Sequence, residues 1–144
     1  MLKLWMSKKS SNNLLVLRFR IVNNTSVTIR DASLKYCLAK SPNKVVNVEN
    51  YYVGNSQVSL ENVDSANVCL NIKMDSIPYG VFPNHSGYSV GVHYSDWSPR
   101  NKTLDFSNPQ SSSFTWADNV ALYVDETILY GSDYQGRCRR QALF

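Results

Sequence analysis

The chain has 144 residues, a net charge of +4 at pH 7, 43% hydrophobic residues and only 18% charged ones. That length fits one domain with a two-layer core, and that balance excludes a disordered chain. No stretch reaches the ~18 apolar residues of a membrane-spanning helix, and the Arg137, Arg139 and Arg140 cluster concentrates positive charge in the tail, so no basic stripe argues for nucleic acid.

Short strands divided by turn chemistry follow one another. Leu2–Met6 is the first, closed by the polar loop SKKSSNN. Leu14–Asn24 alternates Leu15, Leu17, Phe19 and Ile21 against Val16, Arg18, Arg20 and Val22, a period of two with one apolar face. SVTI and SLKYCLA come next, separated by a turn at Arg30 and Asp31, and KSPNK is a Pro/Asn turn. VVNVENYYV runs to Gly54, QVSLENV to the turn DSAN, and VCLNIKM alternates again. PYGVFPNHSG, with two prolines and two glycines, is expected to be loop. YSVGVHY is a strand, and DNVALYVDETILYG is a terminal hairpin turning near Asp125–Thr127. About nine strands and no 3.6-residue stripe predict an all-β, antiparallel β-sandwich over residues 1–133. Residues 134–144 form a basic tail, disordered or left by cloning.

An enzyme is not expected. His85 and His93 are the only histidines, and no Ser or Cys sits in a nucleophile motif. The acids Asp31, Asp64, Asp75, Asp125 and Asp133 fall in turns, where an Asp usually caps its own backbone. The cysteines are Cys37, Cys69 and Cys138, without a C-x-x-C pair, so a structural zinc site is not expected. Buried free thiols are favoured for Cys37 and Cys69, with a disulfide between them the alternative. Asn24, Asn84 and Asn101 stand in N-x-S/T sequons, a pattern common by chance in an Asn/Ser-rich chain. Met1–Met6 is too short and mixed for a signal peptide, so an extracellular or cell-surface location would make the chain a module excised from a longer one.

LKLWMSKKSSNNLLVLRFRIVNNTSVTI followed by SLKYCLA, then NVCLNIKM, YSVGVHYSDWS, LDFS and WADNVALYVDETILYG, resembles family 3 carbohydrate-binding modules, the cellulose-binding modules of scaffoldins and bacterial cellulases. The resemblance spans Leu2 to Gly131, and the DWS element with the terminal hairpin is its most specific part. It implies a nine-stranded, jelly-roll-like sandwich that docks cellulose or another plant cell-wall polysaccharide through an aromatic and polar strip on one sheet, beside tethered catalytic or cell-surface domains. Nucleic acid and membranes are not expected partners. A structural or protein-interaction module that kept the fold and lost the strip is the alternative.

Matched onto that strip, Trp97 takes the place of the family's tryptophan, and Gly91 stands where the family has an arginine. The family's Asp-His pair falls in VENYYVG, where Tyr51 and Tyr52 are the nearest aromatics; in a strand they face opposite ways. His93 shares the face of Gly91 by period two, and Arg100 could add a donor. Trp5 and Trp116 read as packing residues. The resemblance also implies calcium, but the loops keep only Asp105 and Asn101 as candidate ligands, with Ala39, Ser41 and Leu104 at other ligand positions. One carboxylate and one amide fall short of the six to eight oxygens that calcium takes. No cofactor is therefore expected, calcium being the doubtful one.

Overall fold

The computed structural model describes residues 2–82, 87–101, 105, 107, 115–116, 119–125 and 127–131. Within them are eleven strands and no helix: β1 (Leu2–Ser10), β2 (Leu15–Asn23), β3 (Ile29–Ala39), β4 (Val46–Tyr52), β5 (Gln57–Asp64), β6 (Asn67–Ile77), β7 (Gly80–Phe82), β8 (Tyr88–Tyr94), β9 (Thr115–Trp116), β10 (Ala121–Val124) and β11 (Thr127–Tyr130). They form two sheets. One runs β4-β8-β2-β1-β9, with β7 also beside β2; the other runs β11-β10-β3-β6-β5. Every pairing is antiparallel.

The alternation in the sequence explains the two layers. Leu15, Leu17, Phe19 and Ile21 on β2, with Val90 and Val92 on β8, turn inward from one sheet. Leu34, Tyr36 and Leu38 on β3, with Leu70, Ile72 and Met74 on β6, turn inward from the other. Each aliphatic, Met or Phe side chain among them contributes about 1.5–3 kcal/mol when fully buried. Because side chains alternate, the same registers fix what faces outward. On β8 those residues are Ser89, Gly91 and His93, and opposite them on β2 lie Arg18 and Val16.

The antiparallel sandwich is the expected one, but several details differ. β3 is a single strand rather than two. Asp31 sits at φ 55°, between Arg30 paired with Ser76 and Ala32 paired with Met74, so the polar residues make an irregularity within the strand rather than a turn. The Pro/Gly-rich segment holds β7, which finds its ladder partners on β2: Val22 opposite Val81 and Asn23 opposite Gly80. Short edge strands tolerate such residues because few of their backbone groups enter the ladder. Cys37 and Cys69 are bonded to each other rather than free thiols; they are direct cross-strand partners of β3 and β6, with Cα atoms 4.1 Å apart. The tail, the side chains of Trp5 and Trp116, and Leu104 and His85 lie outside the described residues or side chains.

Arg100, Asp105 and Ser107 complete the edge of β3 where β10 stops. The Ser107 hydroxyl accepts from the Cys37 N–H at 2.9 Å, and the Ser107 N–H donates to the Cys37 carbonyl at 3.2 Å. The Asp105 carboxylate accepts from the Ala39 N–H at 2.8 Å, and Arg100 donates to the Ala39 carbonyl at 3.1 Å. Four backbone groups at that strand edge are thus satisfied by Arg100, Asp105 and Ser107.

Candidate functional site

β8 ends at Tyr94 and the chain turns at once. The Trp97 N–H donates to the Tyr94 carbonyl at 2.9 Å, and the Ser95 N–H to the Val45 carbonyl at 2.8 Å. Asp96 holds the turn from inside. Its Oδ1 accepts from the Ser98 N–H at 3.1 Å and the Ser98 hydroxyl at 2.6 Å, and its Oδ2 from Lys44 Nζ at 2.5 Å. The Lys44 bond, followed by those from Ser98, holds the Asp96 carboxyl well below the usual carboxylate range. A depressed carboxylate stabilises the fold above its unfolded pKa, and that contribution is lost only as pH falls through the lower folded value. The Asp96 side-chain carbonyl resonance should therefore titrate below the usual Asp midpoint of about 3.9 in an NMR pH series. A midpoint at or above that value would contradict the geometry of this turn.

The turn carries Trp97 back over the outer face of β8. Its backbone has φ 59°, a left-handed conformation costing roughly 1–3 kcal/mol for a bulky residue. Asn13 Nδ2 donates to the Trp97 carbonyl at 2.6 Å and helps hold it there. The indole stacks on the His93 imidazole with centroids 3.5 Å apart and planes 10° from parallel. His93 is gripped below it: Nδ1 lies 2.6 Å from the Tyr94 carbonyl oxygen, and Nε2 lies 3.0 Å from Glu49 Oε1. His93 is thus only 3% exposed, while Trp97 is 48% exposed. One face of the indole is fixed on the protein, and the ring remains half open to solvent.

Two residues along the same face lies Gly91. A Cβ there would come within 2.8 Å of Tyr51 Cε2 and 2.9 Å of its hydroxyl. The Tyr51 ring therefore lies across Gly91 on the outer face, placed by a register shift between Asn50 and Tyr52. Tyr51 is 52% exposed. Tyr52 leads elsewhere: its ring stacks on Tyr88 at 6.0 Å, and it lines a cleft of about 840 Å³ with Tyr79, Phe82 and Asp75. The outer face of the β4-β8-β2 region thus presents Trp97 and Tyr51, with Glu49 and Asn47 from β4 and Arg18 from β2 among the exposed polar groups.

Of the residues singled out from the sequence, Trp97 and Tyr51 meet on this face. His93 belongs to it as a support under the indole rather than a surface group. Arg100 is not on it: the side chain is 5% exposed and turned into the molecule against Asp105. Asp105 is fully buried there, and Asn101 is exposed on the loop between them. Sequence reading missed two things, Glu49 as the partner of His93 and the Tyr51 ring in the space left by Gly91. Neither had a signal in the sequence, because both depend on the β4–β8 register, which sets Glu49 opposite Gly91 and Asn47 opposite His93. Replacing Gly91 with alanine should push the Tyr51 ring off the face; if that ring is a contact, adsorption to polysaccharide weakens without a matching loss of thermal stability. Unchanged adsorption by that variant would remove Tyr51 from the interface.

The described residues form an all-β sandwich with aromatic rings open on one sheet face. The profile of the cellulose binding domain family of carbohydrate-binding modules (CBM family 3) matches residues 2–131, and the chain belongs to that family. Its members are non-catalytic. Solved structures agree on the fold. The CBM3b of the cellulosomal cellobiohydrolase 9A from Clostridium thermocellum superposes with a TM-score of 0.76 at 22% identity, covering 94% of this chain and 99% of that one. The unique CBM3 of Hungateiclostridium clariflavum gives 0.76 at 23%, covering 92% and 97%. The CBM3a-L domain of scaffoldin cipA from the Clostridium thermocellum cellulosome gives 0.77 at 18%, covering 97% and 95%.

Proposed function

We propose that this module anchors the protein that carries it to cellulose or a related plant cell-wall polysaccharide through the outer face of β4, β8 and β2. The observation that carries this reading is Trp97, a half-exposed indole held parallel to a buried imidazole in a backbone conformation that has to be maintained against strain. A fixed ring loses little rotamer freedom on binding and offers its apolar face to the apolar face of a sugar. Tyr51 supplies a second ring, and Asn47, Glu49 and Arg18 supply donors and acceptors for hydroxyls. The rings lie on an open sheet face rather than in a cleft, which suits an extended surface better than a single short oligosaccharide.

Two of the similar structures come from a cellulosomal enzyme and a scaffoldin. By analogy, this module would sit beside catalytic or cell-surface domains outside the cell. The Cys37–Cys69 bond fits that location, since disulfides persist in oxidising compartments. Depletion from solution by microcrystalline cellulose tests the reading. The expected result is saturable adsorption, with far weaker binding to soluble cello-oligosaccharides. Absence of adsorption to any insoluble plant polysaccharide would overturn it.

A further inference from the structure

We infer that Arg100 is a built-in cation, and that the fold of this chain needs no divalent metal where the family resemblance implies calcium. The argument begins with Asp105, the one carboxylate kept from the expected ligand set. Arg100 grips it in a fork: Nη1 donates to Oδ1 at 2.5 Å and Nη2 to Oδ2 at 2.9 Å. Oδ1 also accepts from the Ala39 N–H at 2.8 Å. The side chains are 5% and 0% exposed, so the pair is shielded from water and salt.

The remaining chemistry does not suit a divalent ion. Calcium takes six to eight oxygens, several of them carboxylate. Among the described residues no three His, Cys, Asp or Glu side chains converge as a metal site would require. Ala39 offers a methyl group and a backbone carbonyl, and that carbonyl already accepts from Arg100 Nη1 at 3.1 Å. A second positive charge beside the guanidinium would be repelled at short range.

Arg100 instead does what a bound cation would do, and adds direction. It neutralises the buried carboxylate and takes up the Ala39 carbonyl at the open edge of β3. Its own N–H donates to the Asn12 carbonyl at 3.0 Å, next to Asn13, which holds the Trp97 carbonyl. The planar fork matches a carboxylate with two parallel bonds, which a lysine ammonium cannot do. Neighbouring Tyr36 is fully buried, and its hydroxyl pKa is raised well above normal, first by burial and then by the Asp105 charge. The sequence shows the same exchange: an arginine stands five residues before the retained aspartate, Asn101 is the one amide kept beside it, and Ala39, Ser41 and Leu104 occupy the other ligand positions.

Thermal unfolding of the intact module, in excess EDTA and in millimolar calcium, tests the inference. The two curves are expected to superimpose, with no calcium found in the purified protein by elemental analysis. Arg100→Met keeps much of the apolar stem and removes the charge; its melting temperature should fall by about 10 °C, because breaking a buried pair strands the carboxylate. Calcium should not restore it, and Arg100→Lys should recover part of the loss at most. A lower melting point for the parent in EDTA, a higher one in calcium, or rescue of Arg100→Met by calcium would overturn the inference. So would an Arg100→Met variant as stable as the parent. If that variant does not fold, the two parent curves decide alone.

Discussion

Trp97→Ala is expected to weaken adsorption to cellulose by roughly tenfold to a hundredfold, the range set by ring stacking on a flat ligand with nucleic-acid bases as the analogy. The melting temperature should change little. The indole is 48% exposed and its φ of 59° suits alanine no worse than tryptophan, so the fold loses one stacking contact on His93 and no core residue. A loss of adsorption matched by a loss of stability would mean that Trp97 packs the turn rather than meeting ligand. The companion change His93→Ala should also weaken adsorption, although His93 is buried, because the indole would lose the surface that orients it. Isothermal adsorption beside thermal melts separates these effects.

The second large effect concerns the covalent link between β3 and β6. Cys37 and Cys69 are 32 residues apart, and closing a loop of that length restricts the unfolded chain by about 3–4 kcal/mol on the chain-entropy account. The Cys37→Ser, Cys69→Ser double variant should therefore melt on the order of 10 °C lower than the oxidised parent. Adsorption at low temperature should be unchanged, because the bond lies in the sheet that does not carry Trp97. Mass spectrometry under non-reducing conditions checks the bond itself. A parent that carries two free thiols, or a double variant as stable as the parent, would contradict this account.

The fold was legible where a local pattern decides it. Leu15, Leu17, Phe19 and Ile21 alternate so cleanly that the inner face of β2 can be read directly, and the turn at Asp125 closes the terminal hairpin where expected. It was not legible where partners are distant. β7 contains glycine and borders prolines, and only its ladder with β2 makes it a strand. Cys37 meets Cys69 because β3 and β6 pair in one register, which no spacing within either strand reveals.

The site divides in the same way. The turn chemistry of Asp96, Ser98 and Pro99 marks Trp97 as exposed, and so it is. His93 reads as a strip residue on the outer face of its strand; it lies on that face, but buried beneath the Trp97 indole. Arg100 reads as a surface donor because its partners, Ala39 and Asp105, lie across a fold that the local sequence does not describe. Gly91 looks like the loss of an arginine until the Tyr51 ring is found across it.

The central claim is that one sheet face binds, and a comparison between faces tests it most directly. Adsorption isotherms on microcrystalline cellulose would be measured for the parent, for the Trp97→Ala, Tyr51→Ala double variant, and for Tyr79→Ala. Tyr79 is the control: its ring is 71% exposed, yet it lines the cleft with Tyr52 and Tyr88 rather than the face that carries Trp97. The account predicts that the parent and Tyr79→Ala adsorb alike while the double variant stays in solution, all three melting at similar temperatures. Adsorption of the double variant equal to the parent's, or its loss on Tyr79→Ala instead, would contradict it.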